Sequence, residues 1–288
     1  MKNVSTNEVS RREFLGRSAV GVAGVALSLG VAGIPRQSLA QEAKKIPVGL
    51  QLYSVREQCK KDLPGVLAAV GKIGYKGVEF AGYYNRSAKD LRKMLDDNGL
   101  VACGTHTPLD TIQPDKLQAT IEFNRTIGNT FLIVPWMQNK TKQEWLDKAK
   151  LFNEVAAKVK GEGMWVGYHA HAHDFEKLDG EPAWDIFFGG TNADVVMQLD
   201  TSNCRDGGAD PVVVLKKYPG RGRSIHLKAN GNGPEAVIGE DKVAWAEVFA
   251  WCESKGGTQW YVVEHESSKD PMNAVTRSYA ALKKLGKV

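Results

Sequence analysis

The sequence has few cysteines, and it lacks the short motifs by which cysteines bind metals or carry out redox chemistry. The chain contains four cysteines, and no two of them form a CxxC pair. Because they are widely spaced, we expect free thiols, although an oxidising compartment would permit disulfides. The chain also lacks a GxGxxG motif after its first apolar run, which disfavours an open dinucleotide-binding sheet. No internal repeat or low-complexity linker divides it.

The chain has little excess charge once its N-terminal segment is set aside. The whole chain carries a formal net charge of +5 at pH 7. Residues 1–40 contain five basic and two acidic side chains and account for +3 of that charge, so residues 41–288 carry about +2. The basic pI is therefore poor evidence for a nucleic-acid partner, and we predict that the protein binds none.

The N-terminal residues have the features of an export signal. Residues 10–16, SRREFLG, contain the adjacent Arg11 and Arg12 of a twin-arginine signal, and an uncharged segment follows at residues 18–35. Ser38 and Ala40 place small residues where a signal peptidase reads them. We predict that residues 1–40 are a removed signal peptide and that the mature chain is periplasmic or secreted, with no stable membrane insertion. A transmembrane anchor is the alternative, but the segment is Gly-rich and only weakly hydrophobic.

The mature chain alternates short apolar runs with segments of helical periodicity. Most runs are β-branched and nearly unalternating, as expected for strands buried on both faces. Capping patterns at residues 87–90 and 141–144 indicate helices between them. Eight strands and about eight helices predict a single α/β domain, residues 41–288, with the (β/α)8 TIM barrel fold; an open doubly wound sheet is the alternative. The runs are residues 46–53, 76–80, 100–106, 130–135, 164–169, 194–200, 223–228 and 260–265.

Polar side chains stand at the ends of these apolar runs. In a (β/α)8 barrel the carboxyl ends of the strands meet at one mouth, where the chemistry takes place. Any one of these residues could be structural, but their convergence predicts a functional site. The histidines and carboxylates suit one divalent metal ion, which could be Mn²⁺, Zn²⁺, Co²⁺, Fe²⁺ or Mg²⁺. In chain order the residues are Gln51, Tyr53, Glu79, His106, Trp136, His169, Asp200, His226, Lys228 and Glu264.

The segment YHAHAHDF, residues 168–175, places three of the chain's six histidines at every second position. Residues two apart in a strand share a face, but only His169 ends the apolar run. We therefore expect His169 to be a metal ligand or a base. We expect His171 to line the substrate pocket, and His173 with Asp174 to stabilise the loop.

The ordered set of motifs resembles the sugar phosphate isomerase/epimerase family, whose members are xylose-isomerase-like TIM barrels. The motifs are LQLYSVRE, GVEF, the histidine of CGTH, YHAH, LDTSN with GADP, HLK and VVEHE. Each motif is weak alone, but together they span essentially the whole mature chain in the family's order. The family includes ketose 3-epimerases and inosose dehydratases.

The resemblance implies a metal site at the ends of the fifth to eighth strands. Asp200, His226 and Glu264 match the family's ligands from the last three strands. The fifth strand departs from the epimerase pattern, because His169 stands where those enzymes have a glutamate, as it does in a YHxH subfamily. We therefore expect these four residues as ligands, with Glu264 or His169 moving the proton. The two-glutamate mechanism of the epimerases cannot be transferred whole.

The resemblance also implies a substrate site around the metal. Glu79 and His106 match positions that face the substrate in the family. The full set of residues that we expect to contact the substrate is Tyr53, Glu79, His106, Trp136, His171, Asn203 and Lys228.

These features predict an exported, metal-dependent isomerase or epimerase that acts through an enediolate on a sugar or polyol. An exported enzyme would rarely meet sugar phosphates, and the chain has no Gly-rich phosphate motif, so we expect a non-phosphorylated small molecule. The alternatives are a 3-keto-glycoside lyase or dehydratase with the same metal site, and a sugar-binding barrel without activity. A phosphodiesterase of the endonuclease IV type would need more histidine and acidic ligands. A homo-oligomer is compatible with the sequence.

Overall fold

The computed structural model describes residues 45–288, and the predicted signal peptide, residues 1–40, lies outside them. Eight parallel strands alternate with helices around a barrel, so the predicted (β/α)8 fold is confirmed. The strands are β1 (Val48–Gln51), β2 (Gly77–Phe80), β3 (Val101–His106), β4 (Phe131–Val134), β5 (Trp165–His169), β6 (Val196–Gln198), β7 (Ser224–Leu227) and β8 (Trp260–Val263).

The helices of the described residues lie between these strands and after the last. Two short helices, Thr201–Asp206 and Pro211–Lys217, follow β6 where the predicted alternation has one, and a small hairpin, Lys177–Leu178 with Glu181–Pro182, precedes the helix Ala183–Gly190. The helices are α1 (Arg56–Ile73), α2 (Ala88–Asp97), α3 (Leu117–Ile127), α4 (Lys142–Lys160), α5 (Ala183–Gly190), α6 (Thr201–Asp206), α7 (Pro211–Lys217), α8 (Trp245–Ser254) and α9 (Pro271–Lys284).

The barrel closes between β6 and β7 through very few contacts. All other neighbouring strands pair in parallel ladders, including the first with the last. Between β6 and β7 there is one isolated parallel bridge, which joins Asp200 to His226. The amide of His226 also donates to the carbonyl of Leu199, with an N–O distance of 2.9 Å. Two of the predicted metal ligands therefore stand at the closure of the barrel.

The helix starts predicted from capping patterns are confirmed. The Ser87 hydroxyl accepts a hydrogen bond from the Asp90 amide at the start of α2. At the start of α4, Thr141 and Glu144 form a reciprocal capping box, which satisfies two amides that would otherwise lack partners. Side chains of the apolar helix faces, such as Leu91 and Phe152, are then buried against the barrel.

Two apolar runs end in turns rather than in strand. The first run leaves the strand at Gln51, whose side chain accepts from the Tyr53 amide and starts the 3₁₀ turn Leu52–Val55. The sixth run leaves the strand at Gln198, and Asp200 becomes the N-cap of α6 by accepting from the Asn203 amide at 2.7 Å. Both turns bend the chain at the mouth of the barrel, which places Tyr53 at the rim.

The described residues have two further properties. All four cysteines are buried free thiols, and burial raises the pKa of both the Cys59 and the Cys252 thiol to about 11. No helix of residues 45–288 is both long and apolar enough to cross a membrane.

Close packing inside the barrel predicts a clear difference between two glycine-to-alanine substitutions. A Cβ atom at Gly167 of β5 would lie 2.6 Å from the Val196 carbonyl oxygen and 2.8 Å from the side chain of Ile133. Gly167→Ala should therefore destabilise the fold by about 1–3 kcal/mol through overpacking. A Cβ at Gly189 of α5 meets nothing within 4 Å, so Gly189→Ala should stabilise it by about 0.4–1 kcal/mol. Urea unfolding of both variants measures the difference, and equal midpoints would contradict it.

Candidate metal centre

Four buried side chains converge at the mouth of the barrel on β5 to β8. His169 ends β5, Asp200 caps α6 after β6, His226 lies in β7, and Glu264 directly follows β8. Each offers one ligand atom, and these atoms all lie within 4.8 Å of one another. His226 Nδ1 is 2.7 Å from Glu264 Oε2, and it is 3.9 Å from Asp200 Oδ2. The structure thus brings together the four side chains that the sequence predicts as ligands.

The donor atoms of this cluster fit a divalent cation. Asp200 Oδ1 accepts from the Asn203 amide, but Asp200 Oδ2 is buried and has no hydrogen-bond partner. An unsatisfied buried acceptor costs about 1–3 kcal/mol, and more when the group is charged. Burial accordingly raises the pKa of Asp200 to about 6. A metal ion among two imidazoles and two carboxylates would satisfy this oxygen.

Glu79 fixes the orientation of His226. The Nε2 atom of His226 lies 2.5 Å from Glu79 Oε2, so its Nδ1 atom points towards Glu264 and the other ligands. Burial alone would lower the pKa of His226, but the two carboxylates raise it to about 10. Metal binding would take the place of the Nδ1 proton, while Nε2–H would continue to donate to Glu79. This is a carboxylate–histidine–metal arrangement.

Gln198 orients His169 through a hydrogen bond. Its Oε1 atom accepts from His169 Nδ1 at 3.1 Å, which leaves the Nε2 lone pair of His169 facing Glu264. The Gln198 amide nitrogen donates to Glu79 Oε1 at 2.8 Å and to Ser224 Oγ at 2.9 Å. Burial and the neighbouring histidines lower the pKa of His169 well below its usual value, so the imidazole is neutral, as a ligand must be.

A cavity of about 630 Å³ opens onto this cluster, and we call it the aromatic cavity. Three aromatic side chains, those of Tyr53, Tyr83 and Trp136, line it together with His169 and Glu264. Trp136 is half exposed, and Tyr53 is 41% exposed at the rim. Ligand pockets have this size and this mixture of apolar walls with a few polar groups. The residues that line it and bear on function are Tyr53, Tyr83, His106, Trp136, His169, His171, Glu264 and Glu266.

His171 adds a second neutral imidazole to this cavity. Burial lowers its pKa to about 4, and its Nδ1 atom is buried without a hydrogen-bond partner. Trp136 packs against both His171 and His173. His173 itself lies within 2.8 Å of the Met137 carbonyl, and Asp174 accepts from the His171 amide. The loop contacts of His173 and Asp174 match the structural role that the sequence predicts.

The chain matches a known protein family over most of its length. Residues 67–285 match a family described as xylose isomerase-like TIM barrel. The chain belongs to this family.

Two similar proteins differ in the reaction that their names describe. Inosose dehydratase 2 of Bacillus cereus is 25% identical to this xylose isomerase-like barrel over 273 residues, which cover 78% of this chain and 86% of that protein. The solved structure of a sugar phosphate isomerase/epimerase from Parabacteroides distasonis is 26% identical, with a TM-score of 0.74. That match covers 84% of this chain and 99% of the other.

A third relative carries a metal. The solved structure of IOLI protein with a bound zinc atom has a TM-score of 0.64 and 14% identity, and it covers 83% of this chain and 96% of that one. At this identity the likeness shows the shared fold alone.

The structure divides the residues expected at the substrate into three groups. The aromatic cavity brings together Tyr53, His106, Trp136 and His171. Asn203 and Lys228 line an adjoining pocket, where the Lys228 ammonium donates to Asn203 Oδ1 at 3.2 Å. Glu79 is completely buried beneath the ligands, with hydrogen bonds from Gln51 and Gln198, so it orients a ligand and lines neither space.

Sequence reasoning missed three residues of this region. Gln198 had a signal, because it is a polar residue within an otherwise apolar run, where it is costly unless paired. Glu266 also had one, since it stands two positions after Glu264 in VVEHE. Tyr83 lies in the loop after β2, and no pattern distinguishes it from other loop tyrosines.

The contacts of Asp200 and Gln198 predict graded losses of metal binding. Asp200→Ala should abolish tight binding, because it removes a ligand. Gln198→Ala should weaken binding by about 10–100-fold, because His169 loses the contact that fixes its orientation. Gln143→Ala, an exposed change on α4, is the matched control. Titration calorimetry with Zn²⁺ and Mn²⁺ measures the affinities. Unchanged affinity in Asp200→Ala would rule out this centre, provided circular dichroism shows that the barrel is intact.

Proposed function

We propose that this protein is a metal-dependent enzyme that moves a proton next to the carbonyl of a non-phosphorylated sugar or polyol ketone, with isomerisation or epimerisation as the outcome. The observation that carries this proposal is the buried cluster of His169, Asp200, His226 and Glu264, of which His169 and Glu264 line the aromatic cavity. Reactive groups at the mouth of a (β/α)8 barrel are those that meet the substrate.

One divalent metal ion per chain is part of this proposal. The bound zinc of the IOLI structure supports it, as does the unpaired Oδ2 atom of Asp200. The ion could be Mn²⁺, Zn²⁺, Co²⁺, Fe²⁺ or Mg²⁺, and the two imidazoles make the first four a better match than Mg²⁺. When bound, the metal would polarise the carbonyl and stabilise negative charge on neighbouring oxygens.

Side chains that line the cavity would bind the sugar and abstract the proton. The aromatic faces of Tyr53 and Trp136 would pack against the C–H face of a sugar ring. His106 lines the cavity from the end of β3. Its Nε2 atom lies 3.2 Å from Glu79 Oε2 and can donate a hydrogen bond to that carboxylate. Because His169 Nε2 faces the ligands, proton abstraction falls to His171 or to Glu264. We favour His171, since its imidazole is neutral at pH 7 and is free of the ligand set.

A lyase reaction is the second candidate, and a specific observation favours it. His169 stands where the epimerases have one of their two glutamates, so the pair that would work on opposite faces of the substrate is absent here. The curated relatives named inosose dehydratase support the same outcome. Elimination needs one base and a leaving group, whereas epimerisation needs the proton to return from the other face.

Proton exchange in D₂O separates these outcomes. The metal-loaded protein should exchange the proton next to the carbonyl of a keto sugar, which NMR detects as loss of signal. His171→Ala should keep its metal and lower the exchange rate by about 10²–10⁴-fold. The rate of the parent protein should show no titration at the ordinary histidine pKa of about 6.5, because the pKa of His171 is lowered to about 4.

His173→Ala is the matched control for this experiment. It removes an imidazole from the same loop, but that imidazole donates to the backbone carbonyl of Met137. His169→Ala should lose metal and exchange together. Exchange with release of a leaving group would assign the lyase, and exchange with an isomeric product would assign the isomerase. A protein that binds sugar but exchanges no proton would be a non-catalytic sugar-binding barrel.

We also propose that the enzyme is exported by the twin-arginine route and acts in the periplasm or outside the cell. The support is the sequence of residues 10–40, with Arg11-Arg12 and small residues before the expected cleavage after Ala40. Changing both arginines to lysine should leave uncleaved precursor in the cytoplasm, as cell fractionation with immunoblotting would show. Replacement of Lys44 and Lys45 by arginine is the matched control, and export of the double-lysine variant would exclude this route.

A further inference from the structure

A second pocket adjoins the aromatic cavity and differs from it in chemistry. This space of about 370 Å³, which we call the polar pocket, lies between α6 and the loops that follow β7 and β8. Glu266 lines both spaces, and its carboxylate accepts from the Lys228 ammonium at 2.7 Å. The ion pair therefore stands at the boundary, and a ligand could extend from one space into the other.

The polar pocket offers hydrogen-bonding groups and no large aromatic side chain. Asn230 donates to Asp206 Oδ1 at 2.8 Å and to Ser202 Oγ at 3.1 Å, so amide, carboxylate and hydroxyl groups lie side by side. Ser267 is exposed on the opposite loop and lines the same space. Such alternating donors and acceptors match the hydroxyl groups of a sugar.

One nitrogen atom of a buried imidazole in the wall also lacks a hydrogen-bond partner. His265 lines the polar pocket and is only 6% exposed. Its Nε2 lies 3.2 Å from the Ala236 carbonyl, to which it donates, and its Nδ1 has no hydrogen-bond partner. The free Nδ1 is an acceptor in a region where buried polar atoms are normally satisfied. The Nδ1 atom itself is closed off from solvent, so the groups that a ligand in the polar pocket would meet are those of Asp206, Asn230 and Ser267.

We propose that the polar pocket binds a second sugar ring, so that the substrate is a neutral glycoside of two rings and not a free monosaccharide. The first ring would occupy the aromatic cavity at the metal centre, and the linkage would pass Glu266. This inference rests on the proposed function for the chemistry of the first ring. The carboxylates of Asp206 and Glu266 would repel a phosphate or carboxylate group, since the one ammonium of the pocket, Lys228, is already paired.

The division of space between the two sites supports a ligand of this length. Bound small molecules usually have 70–90% or more of their surface buried. A single ring at the metal would make no contact with the polar groups of the second pocket, which would bind only one another and solvent. A second ring would use them, and it would give the mouth of the barrel selectivity through hydrogen bonds that a monosaccharide cannot make.

Binding measurements on disaccharides test the inference. The metal-loaded protein is titrated by saturation-transfer NMR with cellobiose, maltose, lactose and trehalose, and with the methyl glycosides of glucose and galactose. We expect at least one disaccharide to bind about tenfold or more tightly than the matching methyl glycoside, which corresponds to about 1.4 kcal/mol. Ser267→Trp should fill the pocket and bring this ratio close to one, and Asp206→Ala should lower it about fivefold or more.

Asp147→Ala, an exposed carboxylate change on α4, is the matched control and should keep the ratio. Equal affinities for all disaccharides and methyl glycosides would overturn the inference, as would a preference that survives both pocket variants. The proton-exchange experiment separates this result from the proposed function. If the protein exchanges protons but does not prefer disaccharides, only the inference of a second site is wrong. If it prefers disaccharides but exchanges no protons, the second site stands and the proposed activity is wrong.

Discussion

The contact between the Glu79 carboxylate and His226 Nε2 is the interaction on which the centre depends. It lies inside the barrel, where both groups are fully buried, and it would be costly unless each compensated the other. Its geometry aims His226 Nδ1 at Glu264. Gln198 then extends the same network to His169, because one amide nitrogen donates to Glu79 while its oxygen accepts from the imidazole. Two of the predicted ligands are thus held by one buried carboxylate.

Two residues that close the barrel also belong to the candidate metal centre. The one ladder bridge between β6 and β7 joins Asp200 to His226, and the Met197 amide also donates to the Arg221 carbonyl next to it. A shift of this junction would therefore open the sheet and separate two ligands together. A metal ion held by both side chains would stabilise the folded barrel at this junction, since ligands that bind only the folded state add to its stability.

Much of this arrangement could be predicted from the sequence, for identifiable reasons. The strands are apolar runs of a few residues, so the barrel and the convergence of polar side chains at the ends of those runs follow from pattern alone. The resemblance to the family, and not the pattern, selected four of those side chains as ligands. The direction in which a side chain points is not contained in that pattern. Glu79 belongs to a strand whose alternate residues face the barrel interior, and it turns towards His226 below the cavity. Asn203 and Lys228 lie at the expected mouth, but in the second space. Such assignments depend on strand register and loop course, which are set by tertiary contacts.

The buried thiols give the proposed route of export a chemical rationale. A chain threaded unfolded into an oxidising compartment would present four reactive cysteines to the disulfide-forming machinery there, and non-native crosslinks could trap it before the barrel closed. In the folded barrel all four are enclosed and their high thiol pKa values suppress the reactive thiolate. A protein that crosses the membrane already folded arrives with its cysteines protected from oxidation, and it needs neither a disulfide nor an isomerase to stay that way.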